Sequence, residues 1–98
     1  MKEPIYEYDP AELLTDAESI AIFMADAFES GDASFIAQAL SVVARAKGMT
    51  AIAKEAGVTR AHLYQLKNGN PTLKTMIGVM RAVGLDMTAK QHVDIAHG

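Results

Sequence analysis

Arg60, Ala61, Tyr64 and Gln65 fall within one short stretch, at spacings that place them on the outward side of a helical turn. Their types suit the flat edges of nucleic-acid bases. An arginine guanidinium can take guanine O6 and N7 together, a glutamine amide can take adenine N6 and N7, and an alanine methyl can meet a thymine methyl. In a helix laid in a DNA major groove, the N-terminal residues are the ones that reach base edges. No acid lies between Glu55 and Asn68, so nothing on the stretch repels a phosphate. Lys54, Lys67, Asn68 and Lys74 flank it and could hold phosphate oxygens. Thr50, Thr59 and Thr72 read as the caps of three helix starts, whose free N–H groups also suit phosphates. The candidate base contacts are therefore Arg60, Ala61, Tyr64 and Gln65. The candidate backbone contacts are Thr50, Lys54, Thr59, Lys67, Asn68, Thr72 and Lys74.

The segment from Met49 to Leu66 must position these side chains, and it reads as helix, turn, helix. Ile52, Ala53 and Ala56 form the inward side of the first helix, with Ala53 small where the second crosses it. Gly57 supplies the left-handed conformation of a tight turn, which costs a residue with a β-carbon about 1 kcal/mol or more. Val58 plugs the gap between the helices. Leu63 and Leu66 are the inward side of the second helix, expected over Arg60 to Lys67. Such a corner also occurs in proteins that never touch DNA; the outward Arg60, Gln65 and lysines distinguish the two readings.

Upstream, Asp9-Pro10 can start a short helical turn through Leu14, with proline at the first helical position. Thr15 and Glu18 fit a capping box. Ile20, Phe23, Met24, Ala27 and Phe28 follow at the spacing of a buried helical stripe. Gly31 ends that helix and Asp32 caps the next, whose stripe is Ile36, Leu40, Val43 and Ala44 and whose stop is Gly48. Arg45 and Lys47 lie in its last turn, where the helix dipole favours positive charge. Downstream, Asn68-Gly69-Asn70-Pro71 is a strong breaker. Thr72 then caps a helix with the stripe Leu73, Met76, Ile77, Met80 and Val83, ending at Gly84. From Leu85 to Asp94 apolar and polar residues alternate, the pattern of a half-buried strand. A lone strand needs a partner, either the N-terminal arm or the same strand of a second subunit. The expected organisation is an arm and short turn over 1–14 and one helical domain over 15–98, with the two-helix corner at 49–67.

Ninety-eight residues, half of them hydrophobic, suit one small domain whose stability margin is thin, so dimerisation would help it. Cysteine is absent, which removes disulfides, thiolate metal sites and cysteine nucleophiles and suits the cytoplasm. No signal peptide or membrane-spanning stretch is expected. The three histidines have no zinc-ligand spacing, and no nucleophile stands at a plausible spacing from a base. His62 reads as a contact or surface residue, and His92 and His97 as surface. The expectation is a chain with no enzymatic activity, no metal and no cofactor. The net charge of −3 conceals a division. Residues 1–41 carry nine acids against one base, and residues 42–98 carry eight bases against three acids. One end suits an anionic partner and the other a basic one; ordinary solvated charge is the plainer alternative.

Met49–Leu66, followed by Lys67-Asn68-Gly69-Asn70-Pro71, resembles the lambda/434-repressor (XRE) type of helix-turn-helix. Over nearly the whole chain, Tyr8-Asp9-Pro10-Ala11-Glu12, Gly31-Asp32, Ala44-Arg45-Ala46-Lys47-Gly48-Met49, Leu63-Tyr64, Gly69-Asn70-Pro71 and Val83-Gly84-Leu85 resemble the HigA-like addiction-module antidote family, from about residue 6 to 88. The fold so implied is all-α, a five-helix lambda-repressor-like domain with an N-terminal helical extension and a short C-terminal strand. The function implied is that of an antitoxin that neutralises a RelE/HigB-type mRNA-cleaving toxin and represses its own operon; binding of operator DNA as a homodimer is the expectation from the corner and the thin stability margin. Two positions depart from the lambda/434 pattern. Met49 and Ala61 stand where glutamine is frequent, so the operator sequence does not transfer. A toxin that cleaves mRNA should be basic, which makes the acidic residues 1–32 a counter-surface that would speed and orient encounter. Ile5, Tyr6 and Tyr8 suit apolar anchors there, or else pack on the protein's own helices. The alternative function is a phage-type repressor without a toxin, and a pure interaction domain is a third reading.

Overall fold

The computed structural model describes residues 14–93. The expected turn at Asp9-Pro10 and the candidate anchors Ile5, Tyr6 and Tyr8 lie outside the described residues. Five α-helices follow in order: α1 (Ala17–Glu29), α2 (Ala33–Lys47), α3 (Met49–Ala56), α4 (Arg60–Tyr64) and α5 (Leu73–Ala82), with a 3-10 turn at Gln65–Asn68 between the last two. The described residues are all-helical with irregular connections, and none of their helices is long and apolar enough to cross a membrane.

Four of the five helix starts, those of α1, α2, α4 and α5, are set by local side-chain hydrogen bonding. Asp32 accepts from the backbone N–H of Ser34 and Phe35, Thr59 from that of His62, and Thr72 from that of Thr75. Such caps satisfy donors that have no partner within the helix. Two expected caps are corrected. The capping box of α1 is Asp16 with Ser19, one residue later than Thr15 with Glu18. The aspartate carboxylate meets the Ser19 N–H at 2.8 Å, a stronger acceptor than the Thr15 hydroxyl would be. Thr50 caps nothing. Helix α3 begins at Met49 directly after Gly48, with no side-chain cap. Met49 is buried, and its packing draws the helix start ahead of the threonine.

Helix α2 is the centre of the fold and packs against α1, α3, α5 and the 3-10 turn. Ile20 and Met24 of α1, Leu40 and Val43 of α2, Leu63 of α4 and Val79 of α5 are the largest fully buried side chains. Each such burial contributes roughly 1.5–3 kcal/mol. Leu14 joins the same cluster, while Phe28 is exposed at the end of α1. No buried side-chain nitrogen or oxygen among the described residues lacks a hydrogen-bond partner.

Three further expectations are corrected by packing. The second helix of the corner is α-helical only through Tyr64, then tightens into the 3-10 turn, which carries Leu66 into the core at 3% exposure. Helix α5 buries Thr75, Val79 and Met80, and Val83 is buried at its C-cap, while Leu73 and Ile77 face solvent. Its inward side is rotated because Gly78 lies against α3; a β-carbon there would stand 3.2 Å from the Ala56 carbonyl oxygen. Residues 85–93 form no strand. The Leu85 N–H donates to the Met80 carbonyl at 2.8 Å and closes the end of α5. Beyond it the alternating residues are exposed, with no neighbouring strand among the described residues to bond to. Lys90 of this tail pairs with Glu29 at the end of α1, and that contact holds the Glu29 carboxyl below its ordinary range, with a smaller push from His92.

Candidate nucleic-acid interface

The corner between α3 and α4 is built on Gly57, which adopts φ 75° and ψ 28°. Its N–H donates to the Lys54 carbonyl, and the Val58 N–H reaches back to Ala53 at 3.0 Å. These bonds close α3 and redirect the chain in two residues. Ile52 and Ala53 face the core from α3, Leu63 and Leu66 from the second arm, and Val58 is half-buried between them.

With the leucines turned inward, the opposite side of the second arm is fixed by helical geometry. Arg60, Ala61, His62, Tyr64, Gln65, Lys67 and Asn68 are all exposed. The Arg60 Nη2 donates to the Tyr64 hydroxyl at 3.1 Å, and its guanidinium lies over the Tyr64 ring, 5.4 Å from the centroid. Arg60 is thereby held along the helix surface. His62, Gln65 and Asn70 border a shallow groove of about 170 Å³ with Leu66, Gly69 and Pro71.

The flanking candidates are exposed as well: Thr50 and Lys54 on α3, Thr59 at the turn, Thr72 and Lys74 at the start of α5. Among the described residues, Lys54, Arg60, Lys67 and Lys74 have no carboxylate within ion-pair distance. Arg81 differs, standing 3.7 Å from Asp86. The hydroxyls of Thr59 and Thr72 are engaged in capping, so each threonine presents its helix start more than its side chain. Residues 56–85 contain no acid at all, a run that extends well beyond the second helix of the corner.

Sequence reasoning passed over two features. The Arg60–Tyr64 pair was legible as an i, i+4 spacing of a cation and an aromatic ring. The other is a groove where the 3-10 turn meets α2, whose walls lie more than twenty residues apart in the chain, and no local pattern signals it.

Residues 4–91 match the family model described as "Probable addiction module antidote protein". A protein of Haemophilus influenzae described as uncharacterized is 36% identical over 93 residues, covering 93% of this chain and 96% of its own. No solved structure matches. With a family model matched over most of its length, the chain belongs to the family of probable addiction module antidote proteins.

Proposed function

We propose that this member of the antidote family is the DNA-binding antitoxin of a type II toxin–antitoxin module, acting in the cytoplasm as a homodimer. It neutralises a RelE/HigB-type mRNA-cleaving toxin and represses its own operon. The observation that carries the DNA-binding reading is the outward side of the corner. Arg60, Ala61, Tyr64 and Gln65 are exposed together on a helix anchored by Leu63 and Leu66, inside an acid-free run. A corner serving only as structure would have no need of an acid-free, amide- and guanidinium-bearing outer side.

In this reading the corner is a lambda/434-type helix-turn-helix and α4 is its recognition helix. Arg60 takes a guanine edge, Gln65 an adenine edge, Ala61 a thymine methyl, and Tyr64 positions Arg60 and lies against the bases. Thr50, Lys54, Thr59, Lys67, Asn68, Thr72 and Lys74 hold phosphates and set register without reading sequence. The toxin meets the acidic first third of the chain. Glu18, Asp26 and Glu29 of α1 are exposed there, and Ile5, Tyr6 and Tyr8 precede them. Family membership supports the toxin partner.

Co-expression tests the whole reading. The product of the adjacent gene is induced in cells with and without this protein, and growth and co-purification are recorded. Growth arrest relieved by this protein, with a stable complex, is the expected result. Absence of both arrest and complex removes the toxin and leaves a phage-type repressor. A chain that binds no duplex DNA at low salt removes the repressor as well.

A further inference from the structure

Helix α1 packs against α2 and turns its opposite side to solvent. A helix covered on one side only normally carries polar residues on the other. Here the uncovered side carries Ile22, Ala25 and Phe28, a row spaced by three that slants across it. Phe35 stands at the same end as Phe28, in the first turn of α2, across the short connection 30–32. Ile22 is 56% exposed and Phe35 48%. Single exposed apolar side chains are ordinary, but a group of them rimmed by charge marks an interaction surface. Glu18 and Asp26 lie about one turn before and one turn after Ile22, both exposed. Neither has a cation within ion-pair distance among the described residues. Glu29 differs, because Lys90 of the chain's own tail holds it. No lysine, arginine or histidine occurs from residue 3 to residue 44, so α1 offers carboxylates and no cation.

We propose that this side of α1 is where the toxin docks, with Ile22, Phe28 and Phe35 as apolar anchors and Glu18 and Asp26 as the charges that orient it. The matching surface is that of a basic protein, apolar at its centre and ringed by lysine or arginine. The inference rests on the toxin-binding reading and narrows it from an acidic third of the chain to one helix side and two aromatic rings. Charge fixes the choice of occupant. A second copy in a two-fold contact would set the same carboxylates against each other. A head-to-tail copy would occupy the basic half that DNA binding requires. Duplex DNA itself is repelled by Glu18 and Asp26. Against a basic protein, the same two carboxylates steer encounter while the buried apolar anchors carry the affinity. Ala25 is small and lets the partner reach the helix between Ile22 and Phe28.

The test is biolayer interferometry with the purified product of the adjacent gene, released from the co-purified complex. The double variant I22S/F35S is expected to weaken the complex about thirtyfold or more, with the thermal melt and the affinity for a random-sequence duplex kept at wild-type values. E18Q/D26N is expected to slow association at low salt with the dissociation rate little changed, a difference that fades as salt is raised. A folded I22S/F35S protein with wild-type toxin affinity overturns this face and leaves the toxin to dock elsewhere on the chain. Wild-type protein that does not bind the gene product overturns both the face and the toxin reading. Sedimentation separates the other occupants. If I22S/F35S converts a wild-type dimer to a monomer, the face is a contact between copies and the proposal falls. If the variant melts lower but binds toxin normally, the chain's own residues cover the face, and the proposal falls again. A measurement on the unmodified chain guards against misfolding: the Ile22 methyl resonances should shift when toxin is added. Unmoved methyls in a protein that forms the complex would overturn the assignment.

Discussion

The guanidinium of Arg60 bonds the hydroxyl of Tyr64 and lies across its ring one helical turn away. The pair fixes a side chain that otherwise has many rotamers, and it uses one of five guanidinium N–H groups. The remaining donors stay available for a two-pronged contact with guanine. Ordering Arg60 before binding lowers the entropy lost on contact.

Removing Arg60 and removing only its support should therefore differ in degree. Arg60→Ala is expected to cost roughly 1–3 kcal/mol on the specific duplex and to relax base choice at one position. Tyr64→Phe keeps the ring and loses the hydroxyl, so a smaller loss of about 0.5–1.5 kcal/mol is expected. Anisotropy titrations on the promoter duplex and on single-base variants measure both. An Arg60→Ala protein with unchanged operator affinity and base preference would rule out the guanine contact.

Lys67 lies in the 3-10 turn, exposed and with no acid beside it. A phosphate contact carries no sequence information. Lys67→Ala should therefore weaken specific and random duplexes by the same factor and flatten both salt dependences by about 0.9. A loss confined to the specific duplex would reassign Lys67 to a base edge.

What was legible in the sequence was what neighbours along the chain decide. Asp32, Thr59 and Thr72 each cap within three residues, and Gly57 turns the corner by its own φ. The inward residues of the corner were legible because small and apolar positions recur at fixed spacing there. What escaped is decided by residues far apart. The rotation of α5 depends on Gly78 lying against Ala56, and the start of α3 depends on where Met49 packs. The alternation after Leu85 had a strand's period but no strand to pair with among the described residues. The groove at Arg45 and Lys67 joins two helical segments that only the fold brings together.

Two glycines separate conformation from space. Gly57 has φ 75°, and a β-carbon there would meet nothing within 4 Å. Gly57→Ala should thus cost only the left-handed penalty, about 1–2 kcal/mol. In a domain of this size that lowers Tm by roughly 4–8 °C for each kcal/mol. Gly69 has φ −144° and only an ordinary contact, 3.8 Å from the Gln65 carbonyl. Gly69→Ala should leave Tm nearly unchanged. Thermal melts by circular dichroism decide, and equal melting of the two variants would contradict the role given to the Gly57 conformation.

If two copies dock their α4 helices on one side of DNA, the half-sites lie about one helical turn apart, roughly 34 Å. Footprinting of the promoter should show two protected segments at that spacing, with the pattern repeated across a two-fold axis. Protection of one isolated half-site by a monomer would exclude the dimer.

The cap of α1 sets a pH dependence whose sign follows from its geometry. The Asp16 carboxylate accepts the Ser19 backbone N–H at 2.8 Å, and the Ser19 side chain completes the box at the Asp16 N–H. The backbone hydrogen bond from Ser19, aided by that of its side chain, holds the Asp16 carboxyl below its ordinary value of 3.8. A carboxyl whose folded value is depressed stabilises the fold fully above its unfolded value, and loses that contribution as pH falls through the folded value. The stability gap between the wild type and Asp16→Ala should therefore be constant from neutral pH down to about pH 5, then close in stronger acid. Urea midpoints measured across this range test it. A gap that persists undiminished below about pH 2 would mean the cap works without its charge.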